Sequence, residues 1–361
     1  MNIAFRRLNT QYLLGPRLKQ SEGVVGWLAA VQSQDYPGAK WALAQRLDGW
    51  TDAEMDHAFN EGAFLRTHVL RPTWHFVMPA DIRWMLELTA PRIKRTMASY
   101  DPGLELDESV YAHTNKLIEA ALRDGTHLTR TELGLALSAA GIGGDTRRLA
   151  HIVMRAELEG IICSGAMRGK QHTYALLALR APHARTLHRD DALAELTRRY
   201  FTSHGPALPR DFAWWSGLTV SDATAGLDMV SGDLASETID GKTYWFSSPD
   251  RGSDVEVPSA HLLPNYDEYL IAYRDRSAYF NPSGLRGETA FFGEVLRRHI
   301  LVVDGYVTGG WYSTVAKDEV NINATLLARP GKRGLHALQA AAQEYGRFVG
   351  KRASLHLIPG S

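Results

Sequence analysis

The sequence is poor in the residues and segments that mark secreted and membrane proteins. It has one cysteine, Cys163, so it cannot form an internal disulfide, and this usage is typical of a reducing compartment. No uninterrupted apolar run approaches the roughly 18 residues of a membrane helix. The start of the chain, MNIAFRRLNTQYLL, has neither a long apolar core nor a small-residue cleavage site. We therefore expect a cytoplasmic protein with no signal peptide and no contact with a membrane.

The chain also lacks a net charge, because its 40 lysines and arginines equal its 40 aspartates and glutamates. A protein that coats nucleic acid non-specifically is usually basic overall, so this balance argues weakly against such a role. It still allows a basic groove, since positive residues can cluster on one face while the acids lie elsewhere. With 361 residues, the chain is too long for one ordinary core and predicts two to four domains.

The common signatures of metal and cofactor sites are absent from the sequence. The 14 histidines include no HExxH motif, and His183 and His188 lie in a loop at a spacing that does not suit a shared metal ion. No GxSxG, GxxxxGKS/T or GxGxxG sequence is present. Cys163 lies in EGIICSG, which is typical of a buried strand rather than of a catalytic thiol. We expect no metal ion and no cofactor.

The first hundred residues have a mostly helical pattern. Helices are predicted in SEGVVGWLAAV, which Ser21 is expected to cap, in AKWALAQRL, and after Thr51, which forms a capping box with Glu54. THVLRPTWHFVM predicts a strand, with Pro72 at an edge or a bulge, and Pro79 is expected to open another helix. Three helices followed by an extended segment are compatible with a winged helix but do not identify one.

Residues 107–180 give a clearer pattern. A helix ends at Gly125, a short helix capped by Thr131 follows, and a third helix leads into a strand and a hairpin around Gly169. This order is that of a winged helix, a variant of the helix-turn-helix motif. Candidates for phosphate contacts on its predicted recognition helix and wing are Arg147, Arg148, Arg155, Arg168 and Lys170. The alternative is that these side chains are merely solvated, because winged helices also serve as protein-interaction modules.

The remainder of the chain divides into two further parts. A third unit similar to the second is predicted from residue 190 to about 250, with a hairpin that turns at Asp240-Gly241. From about residue 259 the pattern changes to short β-rich segments with glycine turns, and one helix lies between the last two. The predicted domains are residues 1–105, 106–182, 183–257 and 258–361.

Two glutamines, Gln32 and Gln34, lie one residue apart between an apolar run and an Asp-Tyr-Pro turn. In an extended segment, side chains at i and i+2 point the same way, so the two amides could grip one water or one base edge. In a continued helix the two side chains would diverge. Ordinary polar surface at a helix end is the simpler interpretation of this pair on its own.

Four segments, AAVQSQDYPGAKWALAQRL, LRPTWHFV, LLPNYDEYLIAYRDR and ILVVDGYVTGGWY, resemble the bacterial AlkZ/YcaQ-type DNA glycosylases of the HTH_42 winged-helix superfamily. The resemblance extends in order over nearly the whole chain. It implies an α+β fold, with three tandem winged-helix domains around a DNA-binding channel and a C-terminal, barrel-like β-rich domain. It also implies a bacterial enzyme, associated with the nucleoid when bound to DNA, that excises N7-alkylated purines from damaged double-stranded DNA and unhooks interstrand crosslinks. We expect it to be a monomer.

The catalytic element of that family is a Gln-x-Gln motif, which matches Gln32-Ser33-Gln34 in this chain. One branch has Gln-x-Asp instead, so the chain is closer to the AlkZ and AlkZ-like branch. Relatives commonly have glycine at the position of Pro72, which leaves inherited roles for Thr73 and His75 open. His75 and Asp35 are secondary catalytic candidates, and Asp35 is the nearest carboxylate to serve as a general base.

Two amides suit this reaction, because an N7-alkylated purine is already cationic and leaves as a neutral base without a general acid. Carboxamide oxygens can hold the attacking water and face the positive charge that develops on the sugar. No lysine lies within the motif to form a Schiff base, so we expect a monofunctional glycosylase. Two other classes stay open. One is a non-catalytic DNA-binding protein or transcriptional regulator, and the other is a protein-binding scaffold without salt-sensitive DNA affinity.

Overall fold

The computed structural model describes residues 2–247, 259–280, 299–327 and 330–359. Helices alternate with small sheets along these ranges, so the predicted α+β class is confirmed. Within the same ranges, no helix is both long enough and apolar enough to cross a bilayer. The elements are given below for each of the four predicted domains, whose boundaries stay a prediction.

The first unit consists of five helices and a three-stranded sheet. Its elements are α1 (Ile3–Thr10), α2 (Ser21–Leu28), β1 (Ala30–Gln32), α3 (Tyr36–Ala44), α4 (Asp52–Glu61), β2 (Leu65–His68), β3 (Trp74–Val77) and α5 (Ile82–Met97). The strand order is β1-β3-β2, with all pairs antiparallel. The capping box predicted at Thr51 and Glu54 is present at the start of α4.

Three sequence-based expectations for the first unit are wrong in detail. The single strand predicted around Pro72 is a hairpin, since the chain reverses between β2 and β3 where Leu70 adopts a φ of 63°. The side chain of Ser21 does not cap α2, because Ser21 is already its first helical residue and Gln20 occupies the cap position. The helix expected at Pro79 begins only at Ile82.

The second unit has its own apolar core, built by Ile118, Leu122, Leu133, Ile152 and Ile162 among others. Its elements are α6 (Glu108–Leu122), β4 (Leu128–Thr129), α7 (Arg130–Ala139), α8 (Thr146–Leu158), β5 (Ile162–Ser164), β6 (Thr173–Leu176) and α9 (Leu177–Arg180). The cap of α7 is Thr129 rather than the expected Thr131. The reason is that Glu132 lies three residues after Thr129, and the two form a reciprocal capping box.

The third unit is a helical layer followed by a hairpin. Its elements are α10 (Arg189–His204), α11 (Pro209–Ser216), α12 (Val220–Val230), β7 (Leu234–Ile239) and β8 (Lys242–Ser247). The hairpin turns at Asp240 and Gly241, as predicted, and both residues have positive φ, at 48° and 73°. Positive φ at both central residues is what a two-residue turn of the primed type requires. Residues 248–257 of the predicted domain lie outside the described ranges.

The described residues of the C-terminal unit form a five-stranded sheet and one long helix. Its elements are β9 (Ala260–Leu263), α13 (Glu268–Ile271), β10 (His299–Val303), β11 (Tyr306–Val315), β12 (Glu319–Leu326), α14 (Lys332–Phe348) and β13 (Arg352–Pro359). Within the described ranges the strand order is β13-β12-β11-β10-β9, where β12 and β13 pair in parallel and the other neighbours are antiparallel. A closed barrel would need β9 to pair with β13. No such pairing occurs among the described residues, so the barrel-like expectation is not met there and the sheet is open.

Two large apolar cores connect the first, third and C-terminal units. One contains Leu8, Trp84, Tyr200 and Trp215 together with Tyr269. The other joins Val31 and Phe76 of the first sheet to residues of the C-terminal sheet, among them Leu262, Trp311 and Ile322. The first sheet, which includes Gln32, is therefore held against the C-terminal unit rather than standing as a separate module.

Candidate active site

The two glutamines do not lie in a continued helix: Gln32 is the last residue of strand β1, and Gln34 lies in the bend that follows it. Helix α2 ends at Leu28, and Ala29 adopts a φ of 65° that a continuing helix does not allow. Gln32 is the last residue of β1 and only 6% exposed, whereas Gln34 is exposed. The Gln34 Oε1 accepts a long hydrogen bond of 3.5 Å from the Trp74 main-chain N–H. The pair thus joins one buried amide to one amide at the surface.

Gln32 shares one face of the first sheet with two other buried polar residues. Its strand partner is His75 on β3, and the partner of His75 on β2 is Thr67. Directly opposed residues of antiparallel strands project to the same face. The Gln32 Oε1, the His75 Nε2 and the Thr67 Oγ1 are all buried, and none has a hydrogen-bond partner among the described residues. Buried polar atoms are usually paired, so three unpaired atoms on one face indicate a site for a polar ligand or water.

A buried carboxylate from the C-terminal unit fixes the backbone of Gln32. The Glu268 Oε1 accepts a hydrogen bond of 2.8 Å from the Gln32 N–H, which is 236 residues away in sequence. Its Oε2 accepts a bond of 2.9 Å from the Trp215 Nε1 of α11. Because β1 is an edge strand, its outward N–H needs an acceptor, and an ionised carboxylate makes a strong one. Glu268 therefore positions the first glutamine of the motif.

The residue before Glu268 anchors the same segment to the first unit. Arg46 forms a two-pronged ion pair with Asp267, with Nη1–Oδ2 and Nη2–Oδ1 distances of 2.9 and 2.8 Å. The side chains of both residues are at most 1% exposed. A planar guanidinium matches a carboxylate in this geometry, which holds the carboxylate in one orientation. The Asp267-Glu268 pair thus fastens the C-terminal unit to the first unit at the motif.

The charge state of Glu268 follows from its neighbours. Burial alone would raise its pKa, but His204, the Gln32 N–H and His75 lower the pKa of Glu268 below its ordinary value. The His204 Nε2 lies 3.6 Å from the Glu268 Oε2, which is longer than a good hydrogen bond. Burial lowers the pKa of His204 in spite of that carboxylate, so the imidazole is neutral at pH 7. The site therefore contains a fixed negative charge behind Gln32.

His75 is a neutral hydrogen-bond acceptor at its free nitrogen. Burial lowers its pKa to about 3, and the nearby Arg71 guanidinium adds to this effect. Its Nδ1 lies 3.0 Å from the Thr73 carbonyl oxygen, so Nδ1 carries the proton and Nε2 has the lone pair. Burial also lowers the pKa of Arg71, whose buried Nε and Nη2 have no hydrogen-bond partner in the described ranges. We call the sheet face that contains Gln32, Thr67 and His75 the glutamine face. The lone pair of the His75 Nε2 belongs to this face, and the charge of the Arg71 guanidinium acts on it.

The other predicted residues near the motif have local structural contacts. The Asp35 carboxylate caps α3 by accepting from the Gly38 N–H at 3.3 Å. Pro72 and Thr73 lie in the turn between β2 and β3, where the Thr73 N–H donates to the Arg71 carbonyl at 2.7 Å. The Thr73 Oγ1 is buried and unpaired among the described residues. Roles for Asp35 as a general base and for His75 in catalysis stay predictions.

The basic residues predicted to contact phosphates lie on the second unit, and most of them are engaged there. Arg148 donates to the carbonyls of Gly143 and Glu105, Arg155 to the carboxylates of Glu108 and Glu159, and Arg168 to Glu132 and the His127 carbonyl. The Arg147 guanidinium lies 5.5 Å from the centre of the Tyr100 ring. Arg147 and Lys170 are exposed. Their contacts with phosphate stay a prediction.

Sequence reasoning missed Glu268 and His204 as parts of the site. The segment LLPNYDEYL was noted for its resemblance only, although two adjacent acids inside an apolar run are a usable signal. Asp and Glu are almost never fully buried unless they are paired, so both acids predicted partners elsewhere in the chain. The sequence does not show which partners these are, because Gln32, Arg46 and Trp215 lie far from the segment.

Comparisons with known proteins agree with this architecture. The family model described as "DNA glycosylase AlkZ-like" matches residues 25–348. No curated protein matches the chain. Among solved structures, the Streptomyces sahachiroi DNA glycosylase AlkZ is similar, with a TM-score of 0.74 and 20% sequence identity, over 99% of this chain and 100% of that chain. At this identity the structural match shows the fold alone. The family match spans most of the sequence and confirms the resemblance carried by the four segments: the chain belongs to the AlkZ-like DNA glycosylase family.

Proposed function

We propose that this protein is a monofunctional DNA glycosylase that hydrolyses the N-glycosidic bond of N7-alkylated purines. The observation that carries the proposal is the buried Gln32 amide oxygen, which is unpaired among the described residues and backed by the Glu268 carboxylate. Membership of the AlkZ-like DNA glycosylase family supports the reaction class. The class of substrate follows from which catalytic groups the site contains and which it lacks.

The site supplies hydrogen-bond acceptors and a negative charge, but no evident general acid. Glu268 is ionised and His75 and His204 are neutral, because the pKa of each lies below its ordinary value. Hydrolysis of a normal glycosidic bond needs an acid to protonate the leaving group. Alkylation at N7 makes the purine cationic, so the base leaves neutral without that proton. Such a lesion matches the groups present.

The glutamines would then act on the sugar and on water. As the bond breaks, positive charge develops on the deoxyribose, and the amide oxygens of Gln32 and Gln34 face it with their negative dipole ends. The long bond from the Trp74 N–H to the Gln34 Oε1 leaves that oxygen with capacity for a second partner. The His75 Nε2 is too weak a base to take a full proton near pH 7, so its role is to orient the attacking water.

A lyase step through a lysine has no support at the motif. Lys40 follows the motif in sequence, but its Nζ is held 2.8 Å from Asp52 and 2.8 Å from Asp56. An amine that attacks the sugar must be free to reach it, whereas the Lys40 amine is held by two carboxylates. Hydrolysis by water is therefore the proposed course. The same chemistry applies to interstrand crosslinks attached through N7, because their purines are cationic in the same way.

Single-turnover excision from a duplex with one N7-methylguanine tests the proposal. We expect Gln32→Ala and Gln34→Ala to lower the excision rate about 100-fold, the size seen when one transition-state contact is removed. Gln339→Ala is the matched control, since Gln339 is exposed on α14. Spontaneous depurination gives the baseline.

Two results would count against the proposal. Wild-type release at the baseline rate, from both the methylated and a crosslinked duplex, would favour the non-catalytic DNA-binding alternative. Release above baseline that both glutamine variants retain would place the catalytic groups elsewhere in the chain.

A further inference from the structure

A second polar cavity lies where the first, third and C-terminal units meet. Its volume is about 690 Å³, and it borders α5, the turn between β2 and β3, both ends of α11, and the segment after α13. Four arginines line it, namely Arg71, Arg92, Arg210 and Arg274. No carboxylate is among the lining residues, although the protein as a whole has no net charge. We refer to this cavity as the arginine pocket.

The guanidinium groups of the arginine pocket make no close contact with a carboxylate in the described part of the chain, although Arg71 interacts with Glu268 over a longer distance. Across the described part of the chain, none of the four arginines takes part in an ion pair. This contrasts with Arg155 and Arg168 of the second unit, which both bind carboxylates. Arg92, Arg210 and Arg274 are exposed, while Arg71 has buried nitrogens without hydrogen-bond partners in the same ranges. Four like charges around one cavity repel one another, and this repulsion is relieved when an anion binds.

An aromatic ring borders the same cavity. Trp214 is 40% exposed, and its Nε1 donates to the Ile271 carbonyl at 3.0 Å, which fixes the orientation of the indole. The Arg71 guanidinium lies 5.9 Å from the centre of the ring. A fixed, partly exposed indole beside guanidinium groups provides a stacking surface for a nucleobase next to a site for its phosphate. The combination is more specific for nucleotides than positive charge alone.

Arg71 connects the arginine pocket to the candidate active site. It lines the cavity, and its charge also acts on His75 and interacts with Glu268. A phosphate bound in the pocket would therefore lie near the residues that Arg71 influences on the glutamine face. Phosphate contacts fix the register of a protein on DNA, so occupation of the pocket would hold the strand next to that face. The pocket is thus placed to position the strand for the reaction.

We propose that the arginine pocket binds a phosphodiester of the DNA strand that contains the lesion, with a neighbouring base stacked on Trp214. This inference rests on the proposed function, because it takes the strand next to Gln32 as the substrate. The chemistry recognised is a phosphate anion, for which the two sources are the DNA backbone and free phosphate. The DNA backbone is the source that also accounts for the adjoining indole.

The test measures the affinity for an undamaged duplex as a function of salt concentration, a readout that needs no excision. The slope of log K against log[salt] is negative, and each lost phosphate contact reduces its magnitude by about 0.9. We expect Arg210→Gln and Arg274→Gln each to reduce the slope by about 1, and the double variant by up to about 2. Arg333→Gln on α14 removes the same charge from an exposed position and serves as the matched control. Its slope should equal that of the wild type.

The arms of this experiment separate the possible outcomes. Slopes of the pocket variants equal to that of Arg333→Gln would overturn the inference. The same holds if inorganic phosphate alone, at millimolar concentration, changes the tryptophan fluorescence in an Arg210-dependent way while the DNA slopes stay unchanged. A Trp214→Leu variant with unaltered affinity for a duplex with an unpaired base would overturn the stacking part. Absence of excision by the wild type, with the slope changes present, would contradict the proposed function but not the phosphate site.

Discussion

The second unit and the place where the other three units meet use arginine in opposite ways. In the second unit Arg148, Arg155 and Arg168 are bound to nearby carbonyls or carboxylates. In the arginine pocket the guanidinium groups have no ion-pair partner within the described ranges, and the adjoining glutamine face has unpaired acceptors as well. Paired charges stabilise a local fold, whereas unpaired ones remain available for a ligand. The comparison teaches that the number of basic residues on a surface is a poorer guide to a binding site than their partners.

Outside the glutamine motif, the largest effect is expected for the buried carboxylate of Glu268, compared with a paired carboxylate of the second unit. We expect Glu268→Gln to lower single-turnover excision about 10- to 100-fold, which is about 1.4–2.7 kcal/mol in activation free energy. The substitution removes the negative charge behind Gln32 while leaving an oxygen that can accept from its N–H. Glu132→Gln, at an exposed pair with Arg168, is the control and should leave the excision rate unchanged.

A structural role for Glu268 alone would show a different pattern. In that case Glu268→Gln would lose thermal stability and affinity for an undamaged duplex together with excision. We expect instead that this affinity stays within about twofold, and that Glu268→Asp, which keeps the charge, recovers part of the excision rate. Equal rates for Glu268→Gln and the wild type would remove the carboxylate from the proposed mechanism.

The next effect concerns stability and pH. The pKa of His75 is lowered to about 3 by burial and by Arg71, whereas in the unfolded chain it is near 6.5. Between these values the unfolded chain binds a proton that the folded protein does not. The free energy of unfolding therefore falls as the pH drops from about 6.5, by up to about 1.4 kcal/mol per pH unit for this group.

Urea unfolding at pH 7, 6 and 5 measures this dependence. His75→Gln should show a smaller loss of stability on acidification than the wild type, because one linked proton is removed. His113→Gln, at an exposed position on α6, is the control from the second unit and should follow the wild type. If His75→Gln and His113→Gln lose stability in parallel, the folded protein binds a proton at His75 as readily as the unfolded chain does, and the pKa of His75 is not lowered by burial.

The smallest effect is expected in the second unit, where the arginines are paired. We expect Arg155→Gln to change the free energy of unfolding by less than about 1 kcal/mol, because its partner Glu108 is exposed and such pairs contribute little. For Arg155→Gln, the slope of log K for DNA against log[salt] should equal that of Arg333→Gln, because the Arg155 guanidinium is already bound to carboxylates. A slope reduced as strongly as that of Arg210→Gln would show that the pairs of the second unit open when DNA binds.

The sequence predicted the features that depend on neighbouring residues. The capping box at Thr51 and Glu54 and the turn at Asp240-Gly241 are short signals whose chemistry is complete within four residues. The cap of α7 lies two residues before the predicted Thr131, because Glu132 completes a capping box with Thr129. The sequence predicts one strand around Pro72 where the structure has a hairpin, because the turn contains no Asn-Gly or Asp-Gly pair that would indicate the reversal.

The candidate site was predictable only in part, for a related reason. Gln32 and Gln34 were identified because they are adjacent and resemble a family motif. Glu268 and the arginine pocket were not, since their meaning depends on contacts between residues more than a hundred positions apart. Local patterns cannot show that Arg71 and Arg274 line one cavity. That information lies in the packing of three units on one another.

The hydrogen bond between the Gln32 N–H and Glu268 also has a consequence for how the protein is made. The motif is synthesised early, but the carboxylate that fixes it emerges from the ribosome more than two hundred residues later. A nascent chain that has completed its helical units therefore still lacks a finished site. For the same reason, a fragment that ends before the C-terminal unit would lack the acid that holds the backbone of Gln32 in place.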